Sequence, residues 1–199
     1  MPGPRQDMRR ALMGVAASQS GYFTAAQAGE IGYSYASQKF HADHGNWVRV
    51  DRGIYRLPEW PVGENDSLIR WSLWARGRAV VSHDTAMSVH GLGDFNPAVV
   101  HLTVPPNFRS RAPGVRIHRG EVDSGDFESH GGFRVTTPLR TICDTAASGA
   151  SVEDLAAAVR DALDAGLFTR SMLLGRIDEF GPPAALGVER ALHLVEARP

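Results

Sequence analysis

Cysteine and lysine are nearly absent from this 199-residue chain, with Cys143 and Lys39 the sole example of each. A single thiol excludes an internal disulfide and, alone, a tetrahedral thiolate zinc site. Within "LRTICDTA" it reads as a small core residue. No apolar run approaches the ~18 residues that a bilayer span requires. The opening "MPGPRQDMRRALMGVAASQS" is amphipathic without the apolar core of a signal peptide, so the expected location is the cytoplasm, away from membranes. Net charge is lacking too: at -1 the molecule as a whole has no strong preference for a polyanion, and any such preference must be local. The eight histidines form no H-x-x-x-H or H-E-x-x-H, and no Rossmann or Walker glycine loop follows a strand, so no metal or nucleotide cofactor is expected.

What is present belongs to a folded protein, with 43% hydrophobic and 22% charged residues. The length suits one ordinary domain and a smaller one. Residues 5–19 place Met8, Leu12, Met13, Val15 and Ala16 near helical spacing. A short extended piece at 21–23 follows, then two helices capped by Thr24 and Ser34 and closed near Gly32 and Gly45. In the second of these, Ala36 and Phe40 are expected to stack inward at i and i+4. The linker chemistry of "LPEWPVGEND" sets the expected boundary, giving domains 1–60 and 61–199. Beyond it, helices are expected at about 66–77 and 84–90, and strands at 99–104, 114–119 and "FRVTT". The last of these leads into a helix from Pro138. "SVEDLAAAVRDALDAG" shows a Ser151 cap and a Gly166 stop, and two helices complete the chain at about 170–179 and 184–196. The fold class is therefore α+β: an N-terminal winged helix-turn-helix, then a mixed α/β domain with a short sheet and C-terminal helices.

The winged reading rests on "NWVRVDRGIYRL", which puts three arginines into a short ribbon directly after three helices. With Arg52-Gly53 as a two-residue turn, Val50 lies opposite Tyr55, Val48 opposite Leu57, and Arg49 opposite Arg56. A three-residue loop would shift that register. Like charges facing across strands are unfavourable by up to ~1 kcal/mol, a cost that an anion would relieve. The exposed side of the third helix would carry Tyr35, Ser37, Gln38 and His41, with Lys39 nearby. Gln38 is the best base reader, because its amide matches an adenine edge. Arg49, Arg52 and Arg56 would hold phosphates or enter a narrow minor groove. Residues 1–60 hold seven Lys/Arg against five Asp/Glu, and residues 61–199 fourteen against seventeen, so the local asymmetry has the right sign. Winged helices also serve as protein-interaction modules, which keeps a second reading of this domain open.

The stretch "GYFTAAQAGEIGYSYASQKFHADHGNWVRVDRGIYRL" resembles the N-terminal winged helix of the AbiEi-type antitoxins of type IV toxin-antitoxin systems. There a G-Y/F-T-x-x-Q-A start precedes the recognition helix and a G-x-W-x-R-x-x-R-G-I/V-Y-R wing closes the domain. Gly21, Thr24, Gln27 and Ala28 fit the start. Gly45, Trp47, Arg49, Arg52, Gly53, Ile54, Tyr55 and Arg56 fit the wing. "VVSHDTAMSVHGL", "VHLTVPPNFRSRAPGVRIHR" and "GFRVTTPLRTICDTA" are similar to the central part of the same group. The resemblance implies an antitoxin that binds operator DNA, represses its own operon and counteracts a nucleotidyltransferase-like toxin. Two alternatives are a stand-alone winged-helix transcriptional regulator and a relative of nuclease-tailed proteins that has no nuclease domain. The nuclease reading needs a D-(x)n-E-x-K-type metal site, and this sequence has no Asp followed by a strand with Glu-x-Lys.

Other chemistry in the second half is thin. "VVSHDTAMSVHGL" holds Ser82, His83, Asp84 and His90, but neighbouring side chains point apart, so Ser82 is expected as a helix cap and no catalysis is expected. "EVDSGDFESHGG" clusters four carboxylates without EF-hand spacing and is expected to be a solvated loop, which also offers a docking surface for a basic partner.

Overall fold

The computed structural model describes residues 4–197, and the chain divides into two compact units. The first runs to Arg78 and includes residues 129–133; the second comprises residues 79–128 and the chain from Arg134.

The first unit contains α1 (Pro4–Ala17), β1 (Tyr22–Thr24), α2 (Ala25–Ile31), α3 (Tyr35–Asp43), β2 (Val48–Asp51), β3 (Ile54–Arg56) and α4 (Asp66–Trp74). The three strands form an antiparallel sheet in the order β1-β3-β2. The expected caps operate. Thr24 accepts from Gln27 N while the Gln27 side chain returns to Thr24 N, a reciprocal capping box, and Gly32 closes α2 at a φ of 115° that suits glycine. Ser34 starts α3 by accepting from Ser37 N. Around the small core of Leu12, Ala16, Phe23, Ala28 and Leu57, three aromatic rings interlock: Trp47 lies edge-on to both Phe23 and Tyr33, with centroids 4.9 and 5.0 Å away.

The unit extends past the expected boundary at residue 60 because α4 is tied back to the first sheet. Tyr22 donates to Asp66 Oδ2 at 3.3 Å, and Arg56 lies 3.5 Å from the same oxygen. The proline-rich linker is thus spanned within one unit rather than marking its end.

The second unit contains β4 (Val80–Val81), α5 (His83–His90), β5 (Val100–Val104), β6 (Val115–Arg119), α6 (Pro138–Ala147) and, apart from residues 129–133, β7 (Phe127–His130) and β8 (Phe133–Thr136). It continues with α7 (Val152–Asp164), α8 (Arg170–Leu174), a 3-10 turn (Ile177–Phe180) and α9 (Pro182–Glu196). Its mixed sheet has the order β6-β5-β4-β8-β7, with β5 parallel to β6 and β4 antiparallel to β5. The helical core is alanine-rich: Ala156, Ala158 and Ala162 of α7 and Ala184 and Ala191 of α9 are buried. Small side chains at helical spacing let helix backbones approach closely. Gly187 shows how closely, since an added Cβ would sit 3.4 Å from that of Ala146.

Candidate nucleic-acid interface

Helix α3 turns a different face outward from the one its sequence suggests. Phe40 is 53% exposed and Ala36 is also exposed, whereas Gln38 is buried. Gln38 Nε2 donates to the carbonyls of Tyr33 and Ala25 at 3.0 and 3.1 Å, satisfying two backbone acceptors beneath the helix. Gln38 is therefore a structural residue, and the base-reading role expected of it is withdrawn. Tyr35, 83% exposed, stands outward with Lys39, while Ser37 and His41 are half-buried. Lys39 is paired with Asp43 at 2.6 Å, one helical turn away on open surface. His41 stacks on Trp47, with centroids 4.8 Å apart and planes 17° apart. Burial, reinforced by His44, lowers its pKa, which keeps the ring neutral at neutral pH.

The ribbon has the expected two-residue turn, with Asp51 opposite Ile54 and Gly53 at a φ of 70°. The register then slips by one, placing Arg49 opposite Tyr55 and Val48 opposite Arg56. Val50 is the extra residue of a β-bulge. The expected facing pair of Arg49 and Arg56 does not form, and neither do the pairings of Val50 with Tyr55 and Val48 with Leu57.

Arg56 is then drawn inward. It donates to the carbonyls of Trp60 and Pro61, both at 2.7 Å, and pairs with Asp66, with 12% of its side chain exposed. It holds the linker and α4 in place, so it is removed from the candidate interface. Arg49 and Arg52 remain exposed, and neither is in an ion pair among the described residues. The ribbon tip is fixed from below, where Ala25 N donates to Gly53 O at 2.8 Å. Tyr35, Lys39, Arg49 and Arg52 are thus exposed groups of α3 and the ribbon, Ser37 and His41 lie at half depth, and Gln38 and Arg56 are turned inward. Phe40 is an exposed apolar residue of α3 that sequence reasoning assigned to the core.

In the second unit the apparent serine-histidine string is interior. Ser82 is fully buried, accepts from Thr103 Oγ1 at 2.8 Å and lies 2.9 Å from His83 Nδ1; it occupies the N-cap position of α5 but caps no backbone N–H. The His83 ring stacks on His118 at 3.5 Å, with His101 5.2 Å from His118. Burial, with the neighbouring imidazoles, lowers His83 to about 2 and His118 to about 4, so this stack is neutral. Among the described residues no group of three His, Cys, Asp or Glu side chains is arranged to hold a metal ion. Cys143 is fully buried and its thiol is pushed up to about 12, in keeping with a core residue.

The acidic loop departs from its expected solvated state at Asp126. That carboxylate is 4% exposed and is held by Arg140 at 2.8 Å and Arg176 at 2.9 Å. Burial works to raise its pKa, and hydrogen bonds from Arg176 and Arg140 outweigh it, so the net shift is downward. Asp144, bonded to Arg140 at 3.0 Å, is raised to about 6 by burial. No helix of the described residues is long and apolar enough to cross a membrane.

Comparison with known proteins places these two units. No curated protein matches the chain. The crystal structure of the RV2827C protein from Mycobacterium tuberculosis has a similar fold, with a TM-score of 0.61 at 16% identity over 96% of this chain and 77% of that one. The family profile described as the AbiEi antitoxin C-terminal domain matches residues 79–197, which is more than half of the chain and nearly all of the second unit. The chain belongs to the AbiEi antitoxin family.

Proposed function

We propose that the protein is the antitoxin of a type IV toxin-antitoxin pair, and that it acts by binding rather than by catalysis. Residues 1–60 act as a winged helix-turn-helix that binds operator DNA and represses its own operon. Helix α3 enters the major groove, and the β2-β3 ribbon is the wing. The second unit counteracts a nucleotidyltransferase-like toxin. The observation that carries the DNA-binding part is the pair Arg49 and Arg52, two exposed guanidiniums that no carboxylate neutralises among the described residues, on a ribbon directly after α3. Such groups meet phosphates readily, and each neutralised phosphate releases counterions. Tyr35 and Lys39 on α3 complete the set, with Ser37 and His41 at its margin.

Fluorescence anisotropy on the protein's own promoter, run across a salt series, tests this reading. Arg49→Ala/Arg52→Ala should weaken binding roughly 10- to 30-fold and flatten the log-log salt slope by about two units, one for each lost phosphate contact. Equal affinity and equal slope for the variant and the wild type would sink it.

A further inference from the structure

The first unit contains a cleft of about 810 Å³ between α1, α3 and the segment that follows β3. That volume falls within the range of small-molecule sites, roughly 300–1,000 Å³. Leu12, Tyr33, Trp47 and Leu57, all buried, contribute to its lining. His41 and Phe40 add two further flat rings. One face of the His41 ring is stacked on Trp47, and burial, which lowers its pKa, disfavours a competing charge there.

The charged groups on the cleft are mostly cationic. Arg5 and Arg9 line it from α1, and both are exposed with no ion pair among the described residues. Tyr33 is 8% exposed as a residue, and among the described residues its hydroxyl, which is not a buried atom, has no hydrogen-bond partner. Its pKa is raised by burial and opposed by the Arg9 charge, which puts that guanidinium near the phenol. Glu59 is the only carboxylate among the lining residues, so two arginines outnumber it. A phenol hydroxyl and two guanidiniums without protein partners among the described residues, beside the rings of Phe40 and His41, share one complement, a flat ring bearing an anionic group.

We propose that this cleft binds a small planar aromatic carboxylate, its ring against Phe40 and His41 and its carboxylate on Arg5 and Arg9 with the Tyr33 hydroxyl. The cleft shares Ser37 and His41 with the proposed DNA-binding surface, but its test uses no DNA, so the two readings fail separately.

The test is isothermal titration of the full chain with 1-naphthoate, set beside 1-naphthylmethanol, which keeps the ring and lacks the charge. The acid is expected to bind about tenfold more tightly than the alcohol, the factor that a charge-assisted hydrogen bond supplies. Arg5→Gln/Arg9→Gln, at exposed positions, should erase that difference while leaving the alcohol's affinity unchanged. Ser37→Phe, which fills the cleft and removes no side-chain hydrogen bond, should abolish both, with thermal melts confirming that both variants fold. Equal binding of acid and alcohol, or an arginine variant that binds naphthoate like the wild type, would overturn the proposal. So would a dimer in sedimentation that Ser37→Phe dissociates while neither probe binds, because the cleft would then belong to a second copy.

Discussion

Arginine has opposite fates in two parts of this molecule. On the ribbon of the first unit, Arg49 and Arg52 face solvent without a carboxylate. Around Asp126 in the second unit, Arg140 and Arg176 converge on one buried acid from two different elements. The nearby acids decide the difference. Arg56 belongs to the same ribbon and would have been a third free cation, yet Asp66 and two carbonyls take it out of circulation. In a chain whose net charge is -1, cationic surface is what remains after the carboxylates have claimed their partners.

Removing the shared acid should give the largest effect. Asp126→Ala leaves the buried Arg140 with Asp144 alone and Arg176 with Glu179 alone, and is expected to cost about 3 kcal/mol of stability through the lost charge-assisted hydrogen bonds. A denaturation midpoint within error of the wild type would show that the node contributes nothing to stability. Acidification should come next. His83, with a folded pKa of about 2 against 6.5, cannot take the proton that the unfolded chain accepts. Its contribution is therefore intact above pH 6.5 and is lost as pH falls, by about 2 kcal/mol between pH 7 and 5. His118 adds in the same direction. Asp144, raised to about 6, works the other way, because its protonation in the folded state restores stability over the same interval. Urea melts of Asp144→Asn should thus show a steeper acid loss than the wild type, and parallel curves would refute that opposition.

Back in the first unit, Gln38→Ala leaves the Tyr33 and Ala25 carbonyls short of a donor and should destabilise by about 1–3 kcal/mol. The same measurement on Arg49→Ala/Arg52→Ala should move stability by less than about 0.5 kcal/mol, because exposed, unpaired side chains carry little of the fold. If the ribbon pair proved as costly to remove as Gln38, the contrast between free and engaged arginine would fail.

Much of the element order was legible in the sequence, because caps and stops are local. Thr24, Ser34, Ser151, Gly32 and Gly166 act through neighbours a few residues away, and the chain spells them out. The two-residue turn was legible for the same reason. What escaped depends on partners far along the chain. The two-residue strand β4 and the strand β7 are defined by their neighbours in the sheet rather than by their own pattern. The inward turn of Gln38 depends on a carbonyl thirteen residues back, and the capture of Arg56 on an aspartate beyond a proline-rich linker. A polar residue directed into the core reads from sequence like one on the surface, and an exposed phenylalanine such as Phe40 reads like core. The cleft left no pattern of its own, since α1, α3 and the segment after β3 each supply only part of its lining.

The link from Ala25 N to Gly53 O joins the ribbon's tip to the first residue of α2. A ribbon so moored is no free arm; the fold sets its shape, so little disorder would have to be surrendered in any contact it makes. Cutting that mooring by Ala25→Pro would leave every guanidinium in the sequence and slacken the frame that presents them.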